Sequence, residues 1–171
     1  MTAPAYQQMI FVNLPVNDLD ASKKFFTELG YSINPQFSDD NAASVVISDT
    51  IVAMLLTKPF YATFTKKEIA DATTTSEVLI CLSAESRTKV DELVEKAVAA
   101  GGTASDKVQD MGFMYGRAFD DLDGHTWEVV WMDLHRKAEH DPRTGCTRVM
   151  RQRGEVPCRT PRAGEPSRSQ H

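Results

Sequence analysis

One phrase occurs twice in this chain, and that repeat restricts the folds open to it more than any other feature. Residues 9–16 (MIFVNLPV) read as a strand, followed by Asn17-Asp18-Leu19-Asp20 and a helical run that ends at Leu29-Gly30-Tyr31. Residues 77–84 (EVLICLSA) repeat the strand, followed by Glu85-Ser86-Arg87 and a helical run that ends at Ala99-Ala100-Gly101-Gly102. The helix-ending glycines Gly30 and Gly101 stand 71 residues apart. A βα unit repeated once at that distance predicts two similar modules that complete one another, with a site in the cleft they form.

The rest of each module follows the same order. Asp18 offers a helix N-cap, and Phe25, Phe26 and Leu29 give that helix an apolar face up to the Gly30 stop. Residues 31–37, 43–47 and 51–56 are short apolar runs separated by Asp39-Asp40-Asn41 and Ser48-Asp49-Thr50, the pattern of a meander. In the second helix Val90, Leu93, Val94, Ala97 and Val98 fall on one face, with Ser86 as its cap. Strands are then expected at 103–108, 114–119 and 126–132, with the turn Asp121-Leu122-Asp123-Gly124 before the last. Thr65-Lys66-Lys67-Glu68 matches a capping box, so a short helix is expected within the connector. The predicted fold class is α+β: two βαβββ modules whose mixed sheets curl around an open cavity. Module one spans 8–57, the connector 58–76 and module two 77–133.

Charge divides the chain at residue 134. Residues 1–133 carry a net charge of −10, whereas 134–171 carry +5, with eight Arg and a single Lys. The tail has few large apolar residues and cannot offset the entropy of ordering, so disorder is expected from about Arg136 onward. It reads either as a foreign or out-of-frame extension or as a basic arm for acidic partners. The acidic body gives no reason to expect nucleic acid, and no apolar stretch approaches the ~20 residues of a membrane span. Cys81, Cys146 and Cys158 form neither a disulfide framework nor a metal-type pair. A soluble, cytoplasmic, reduced protein is expected, with Cys81 an inert buried thiol in its apolar strand.

Two stretches, LPVNDLDASKKFFTELGY and FDDLDGHTWEVVWMD, resemble the opening and closing signatures of the vicinal oxygen chelate superfamily, which holds glyoxalase I, bleomycin-resistance proteins, fosfomycin-resistance enzymes and extradiol dioxygenases. NPQFSDDNAASVVISD and GFMYGRAFDDLDGHTWEVVWMD are similar, more narrowly, to the branch described as predicted lactoylglutathione lyases. The resemblance covers about residues 8–133. It implies a homodimer, a small-molecule ligand and, in metal-dependent members, a divalent cation held by the first and last strands of each module. Those positions fall on Phe11, Leu55, Leu79 (or Glu77 if the register slips by two) and Glu128. Phe and Leu have no lone pair to donate, so Glu128 is the one ligand type in that set. An oxygen-only site from Asn13, Glu77 and Glu128 would suit weak Mg or Mn better than Zn or Ni.

The body of the chain holds one histidine, His125. It lies an odd number of residues before Glu128, so it is expected on the opposite face, as a solvated turn residue. Glu128, beside Phe11, Leu55 and Leu79, would be partly desolvated, which raises a carboxylate toward the range useful for proton transfer. It is either a catalytic base or a structural relic paired with Arg117 or Asn13. The superfamily pattern puts Gly116 and Ala118 on the cavity face, leaving room for a ligand. Tyr115 and Arg117 then pack against a helix or partner chain; with the opposite parity Arg117 becomes an anion clamp. Trp127 and Trp131 are expected on the helix face.

Two functions are consistent with this pattern. One is a metal-free binding protein with Phe11, Asn13, Leu55, Leu79 and Glu128 around its ligand. The other is a glyoxalase-like lyase or isomerase using Glu128. Under either, deleting residues 136–171 leaves the unfolding midpoint and ligand binding unchanged; a loss of either in the truncated protein would make the tail part of the working molecule.

Overall fold

Both helices that open the modules end in the same way. A computed structural model describes residues 6–133 and, by backbone alone, 139–141 and 146–148. Helix α1 (Leu19–Glu28) and helix α3 (Arg87–Ala99) each run into a glycine with left-handed backbone, Gly30 at φ 104° and Gly101 at φ 103°. The amide after each glycine reaches back five residues, Tyr31 to the Phe26 carbonyl and Gly102 to the Ala97 carbonyl. This is the glycine-ended C-cap that a β-carbon would strain. The starts match as well. Asp18 accepts from the Ala21 amide and Ser86 from the Lys89 amide, at 2.9 and 3.2 Å.

Around α1, module one orders its strands β1-β4-β3-β2. These are β1 (Ile10–Val16), β2 (Ser32–Asn34), β3 (Ala42–Val46) and β4 (Ile51–Thr57), with β1 and β4 parallel. Module two repeats the plan as β5-β9-β8-β6, using β5 (Leu79–Ser83), β6 (Thr103–Ala104), β8 (Met114–Asp120) and β9 (Thr126–Met132), with β5 and β9 parallel. One further strand, β7 (Gln109–Asp110), also pairs with β8. The expected strand over 103–108 is therefore interrupted: the chain leaves the sheet after Ser105 and rejoins it at Gln109. Pro35 likewise ends β2 early, in a 3-10 turn over Pro35–Phe37.

The connector's helix, α2 (Lys58–Tyr61), sits earlier than the capping box predicts. Pro59 presets the first turn there. Thr65 instead accepts from the Lys67 amide in a local turn at 3.1 Å. No described helix is long and apolar enough to cross a membrane.

The two modules share one core. Phe25 and Phe26 of α1 meet Phe119 and Trp127 of module two, with ring centroids 6.3 and 5.3 Å apart. Leu14, Leu55, Val90, Val94 and Val129 complete the cluster. Of the expected apolar face of α3, Val98 is exposed.

A turn locks the modules together. Asp121 accepts from the amides of Asp123 and His125 and from the Trp127 indole N–H. That holds Asp123 so that its Oδ1 takes both the backbone amide and the side-chain amide of Asn17, each at 2.7 Å, while Oδ2 takes the Ser22 hydroxyl at 3.2 Å. His125 is not a solvated turn residue. Its ring is half-buried, and Nε2–H donates to the Pro15 carbonyl of β1 at 2.9 Å. The turn's own bonds aim the ring inward, which strand parity could not show.

A second unit begins at Asp133, and within it Glu139–Asp141 and Cys146–Arg148 pair antiparallel. Most of the tail for which disorder is expected lies outside the described residues. Asp123→Ala should cost about 2 kcal/mol and lower Tm by roughly 6 °C, because buried donors of module one lose their acceptor. Thermal unfolding followed by circular dichroism measures this, and Asp123→Asn, which keeps one acceptor oxygen, should lose less.

Candidate functional site

Strand alternation sorts β8 and β9 into two faces. Phe119, Trp127 and Val129 turn to the core, with Tyr115 and Trp131 packed against it. Gly116, Ala118 and Asp120 of β8 and Thr126, Glu128 and Val130 of β9 turn the other way and floor a cleft of about 270 Å³. Ser105, Lys107 and Gln109, carried on the interrupted stretch between β6 and β8, line it as well.

On the helix side the charges are paired. The Arg117 guanidinium contacts the Asp91 carboxylate of α3 at 2.9 Å, and the Tyr115 hydroxyl donates to the same oxygen at 2.9 Å. The hydrogen bond from Arg117 holds Asp91 below the usual carboxylate range, and the bond to Asp91 pushes the Tyr115 hydroxyl up. Arg117 borders the cleft, but its charge is spent on α3, so it is no anion clamp there.

Glu128 differs. It is half-buried at the cleft floor, across from Ala118, and makes no hydrogen bond or ion pair with the described residues. The relic pairing with Arg117 or Asn13 is not formed. Beside it in register lies Cys81 of β5. Cys81 is exposed, not buried, because it shares the outward face of β5 with Leu79 and Ser83 while Leu82 takes the core. Partial burial, and then the nearby Glu128 charge, push its thiol up.

Gly116, Ala118, Glu128 and the backbone flank of Arg117 thus come together, and the other expected residues do not line this cleft. Leu55 is fully buried in the core beside Leu14, so it cannot line a cavity with Phe11. On β4 the residues beside Phe11 and Asn13 are Val52 and Met54. Phe11 and Asn13 share the exposed face of β1, with Phe11 56% exposed. Leu79 shares the face of Thr126 and Glu128 by register but stands 54% exposed outside the cleft. Glu77 borders a separate recess of about 40 Å³ with His125 and the connector. The oxygen set Asn13, Glu77 and Glu128 is therefore not assembled. Among the described residues no three His, Cys, Asp or Glu side chains are grouped to hold a metal ion. With Phe11, Met54, Leu79 and Glu128 as the strand positions, the donor set does not fit a tightly held cation.

The sequence reading missed Ser105, Lys107, Gln109, Asp120 and Thr126. The period-two signal marks Thr126, two residues before Glu128, and Asp120, two residues after Ala118. The others depend on the break between β6 and β7, which has no periodic signature.

Comparison with known proteins agrees with this architecture. Residues 8–48 match the family of bleomycin resistance protein-like N-terminal domains. A hypothetical protein from S. aureus is 28% identical over 74% of this chain and 95% of its own, with TM-score 0.63. A glyoxalase/bleomycin resistance protein/dioxygenase family enzyme from Burkholderia phytofirmans is 16% identical over 74% and 99%, with TM-score 0.61. A genomically encoded fosfomycin resistance protein from Listeria monocytogenes is 17% identical over 75% and 96%, with TM-score 0.55. The last two speak for the fold alone. No curated protein matches the sequence.

The Cys81–Glu128 adjacency gives a direct check. Glu128→Gln removes the charge that holds the thiol up, so below the thiol's pKa more thiolate forms and alkylation speeds up, by about twofold. Iodoacetamide labelling of the Cys81 peptide at pH 8, read by mass spectrometry, measures it.

Proposed function

We propose, from its fold and its N-terminal family match, that this chain is a small-molecule-binding protein of the glyoxalase/bleomycin-resistance kind within the vicinal oxygen chelate superfamily. Its ligand occupies the module-two cleft over Glu128, without a resident metal, in a homodimer. One observation carries the reading. Glu128 is a half-buried carboxylate with no hydrogen-bond or ion-pair partner among the described residues, opposite Ala118 and diagonal to Gly116 on a concave floor. A half-desolvated charge without a partner is costly to keep unless something else meets it. The small neighbours leave room for that something. The mixed polar and apolar wall suits a ligand with one polar end and an apolar body.

A second reading keeps the same carboxylate and makes it a base or a metal ligand in a lactoylglutathione-lyase-like reaction. A carboxylate free of hydrogen bonds is available for proton transfer. The ungrouped donor set gives that chemistry no Lewis acid beside the base, which favours the binding reading.

The test is a thermal-shift and calorimetric screen with bleomycin, fosfomycin and other small polar–apolar compounds, run on wild-type protein and Glu128→Gln. Saturable binding that weakens by about tenfold or more in Glu128→Gln, with an unchanged Tm in the absence of ligand, is the expected result. Turnover of methylglyoxal–glutathione hemithioacetal should stay at background with added Zn, Ni or Mg. Robust turnover abolished in Glu128→Gln would move the assignment to the lyase.

A further inference from the structure

The outer wall of the cleft is held by little of its own. Between Ser105 and Phe113 every residue except the half-buried Gln109 is exposed, including the apolar Val108, Met111 and Phe113. Burial therefore contributes little to fixing this stretch. Its sheet contacts are the two-residue β7, with Gln109 opposite Gly116 and Asp110 opposite Tyr115, and one backbone bond at each end, Ser105 N–H to the Ala118 carbonyl and Met111 N–H to the Met114 carbonyl. The register of so short a strand rests on its turn, where Gly112 at φ 78° gives its amide to the Asp110 carboxylate at 2.9 Å, so it depends on where that carboxylate is held. A slip by one residue would exchange the two faces. Gln109 would leave the cleft, and Asp110 would enter it beside Asp120 and Glu128.

Arg87, in the first turn of α3, is bonded to the residue that exchange would move. Its guanidinium forks the Asp110 carboxylate at 2.7 and 2.8 Å and donates to the Gly112 carbonyl at 3.1 Å. The same group lies 5.1 Å from the Tyr115 ring centroid and 5.3 Å from that of Trp131. Two rings of the sheet's helix face thus fix where the fork points, and the fork fixes Asp110 on that face. The Arg87 hydrogen bonds also hold the Asp110 carboxyl down at about 2, so the latch stays charged through the whole neutral range and is lost only as pH falls toward that value.

We infer that Arg87 is a positioning residue for the cleft: by clamping Asp110 it sets the register of β7 on β8 and thereby turns Gln109, with Lys107 beside it, toward the ligand space. The consequence for a ligand rests on the binding reading above, whereas the clamp itself does not.

Peptide-resolved hydrogen exchange on the full chain, without any ligand, tests it. Arg87→Met keeps the aliphatic stem and removes the fork. It should speed exchange at 105–112 by about fivefold, with exchange at 79–83 and 126–132 unchanged. Asp110→Asn should reproduce that pattern, and Arg87→Lys, which keeps the charge without the fork, should fall between Arg87→Met and wild type. Unchanged exchange at 105–112 in Arg87→Met overturns the inference. So does acceleration spread evenly over all peptides, which would make Arg87 a general stability residue. Because no ligand enters the experiment, a failed ligand screen leaves this result standing, and a failed exchange test leaves the ligand reading standing.

Discussion

Everything in the body of this protein depends on one turn. Asp121, Asp123 and His125 lie between the last two strands of module two; Asp121 ties the turn together, and the bonds of Asp123 and His125 reach across more than a hundred residues to Pro15, Asn17 and Ser22 of module one. The aromatic contacts between Phe26 and Trp127 are non-directional and would tolerate some sliding of one module on the other. The Asp123 carboxylate does not tolerate it, because it takes a backbone amide, a side-chain amide and a hydroxyl at fixed positions. Burial of Asp121 pushes its carboxyl up, and the bonds from His125, Trp127 and Asp123 work against that push. The turn thus holds a costly group in place by surrounding it with donors, and the geometry so fixed aligns β9 and its cleft-facing residues.

The same alternation that builds the core divides the chemistry. On the helix side of β8, each charged group has found a counterpart: Arg117 with Asp91, and Arg87 with Asp110. On the cleft side Glu128 has none. A sheet that satisfied both faces equally would be a structural sheet alone. That contrast, within strands seven residues long, is what the proposed ligand site rests on.

Much of this was legible in the sequence, for a physical reason. Gly30 and Gly101 announce helix ends because a left-handed cap strains any side chain, and that demand is local. The grouping of Tyr115 with Arg117 and of Gly116 with Ala118 was legible because alternate residues of a strand must face opposite ways; which pair faces the cleft came from the resemblance. Leu55 was misplaced by the position the resemblance assigns, and Cys81 by the apolar character of its strand, because neither says which parity faces the core. In each strand one residue decides which parity is core, and in β4 that is settled by the pairing of Leu55 with Leu14, a long-range fact. His125 and the wall carrying Lys107 and Gln109 escaped altogether. Their placement depends on a turn's hydrogen bonds and on a break in a strand, neither of which leaves a periodic trace.

At the strand positions that the sequence resemblance points to, Glu128 is the one carboxylate. A metal site needs its donors to converge from separate strands, so exchanging one donor for an apolar side chain weakens the whole set. Here the corresponding strands carry Phe11, Met54 and Leu79, each a plausible surface or packing residue in its own strand. Glu128 alone gains nothing from packing, since its neighbours Gly116 and Ala118 are small and its cross-strand partner Cys81 is made less acidic by its charge. If the cleft were a vestige, an apolar residue at 128 would remove that cost without disturbing Trp127 or Val129, which face the other way. Core packing does not account for the carboxylate in the cleft; the ligand proposed above would.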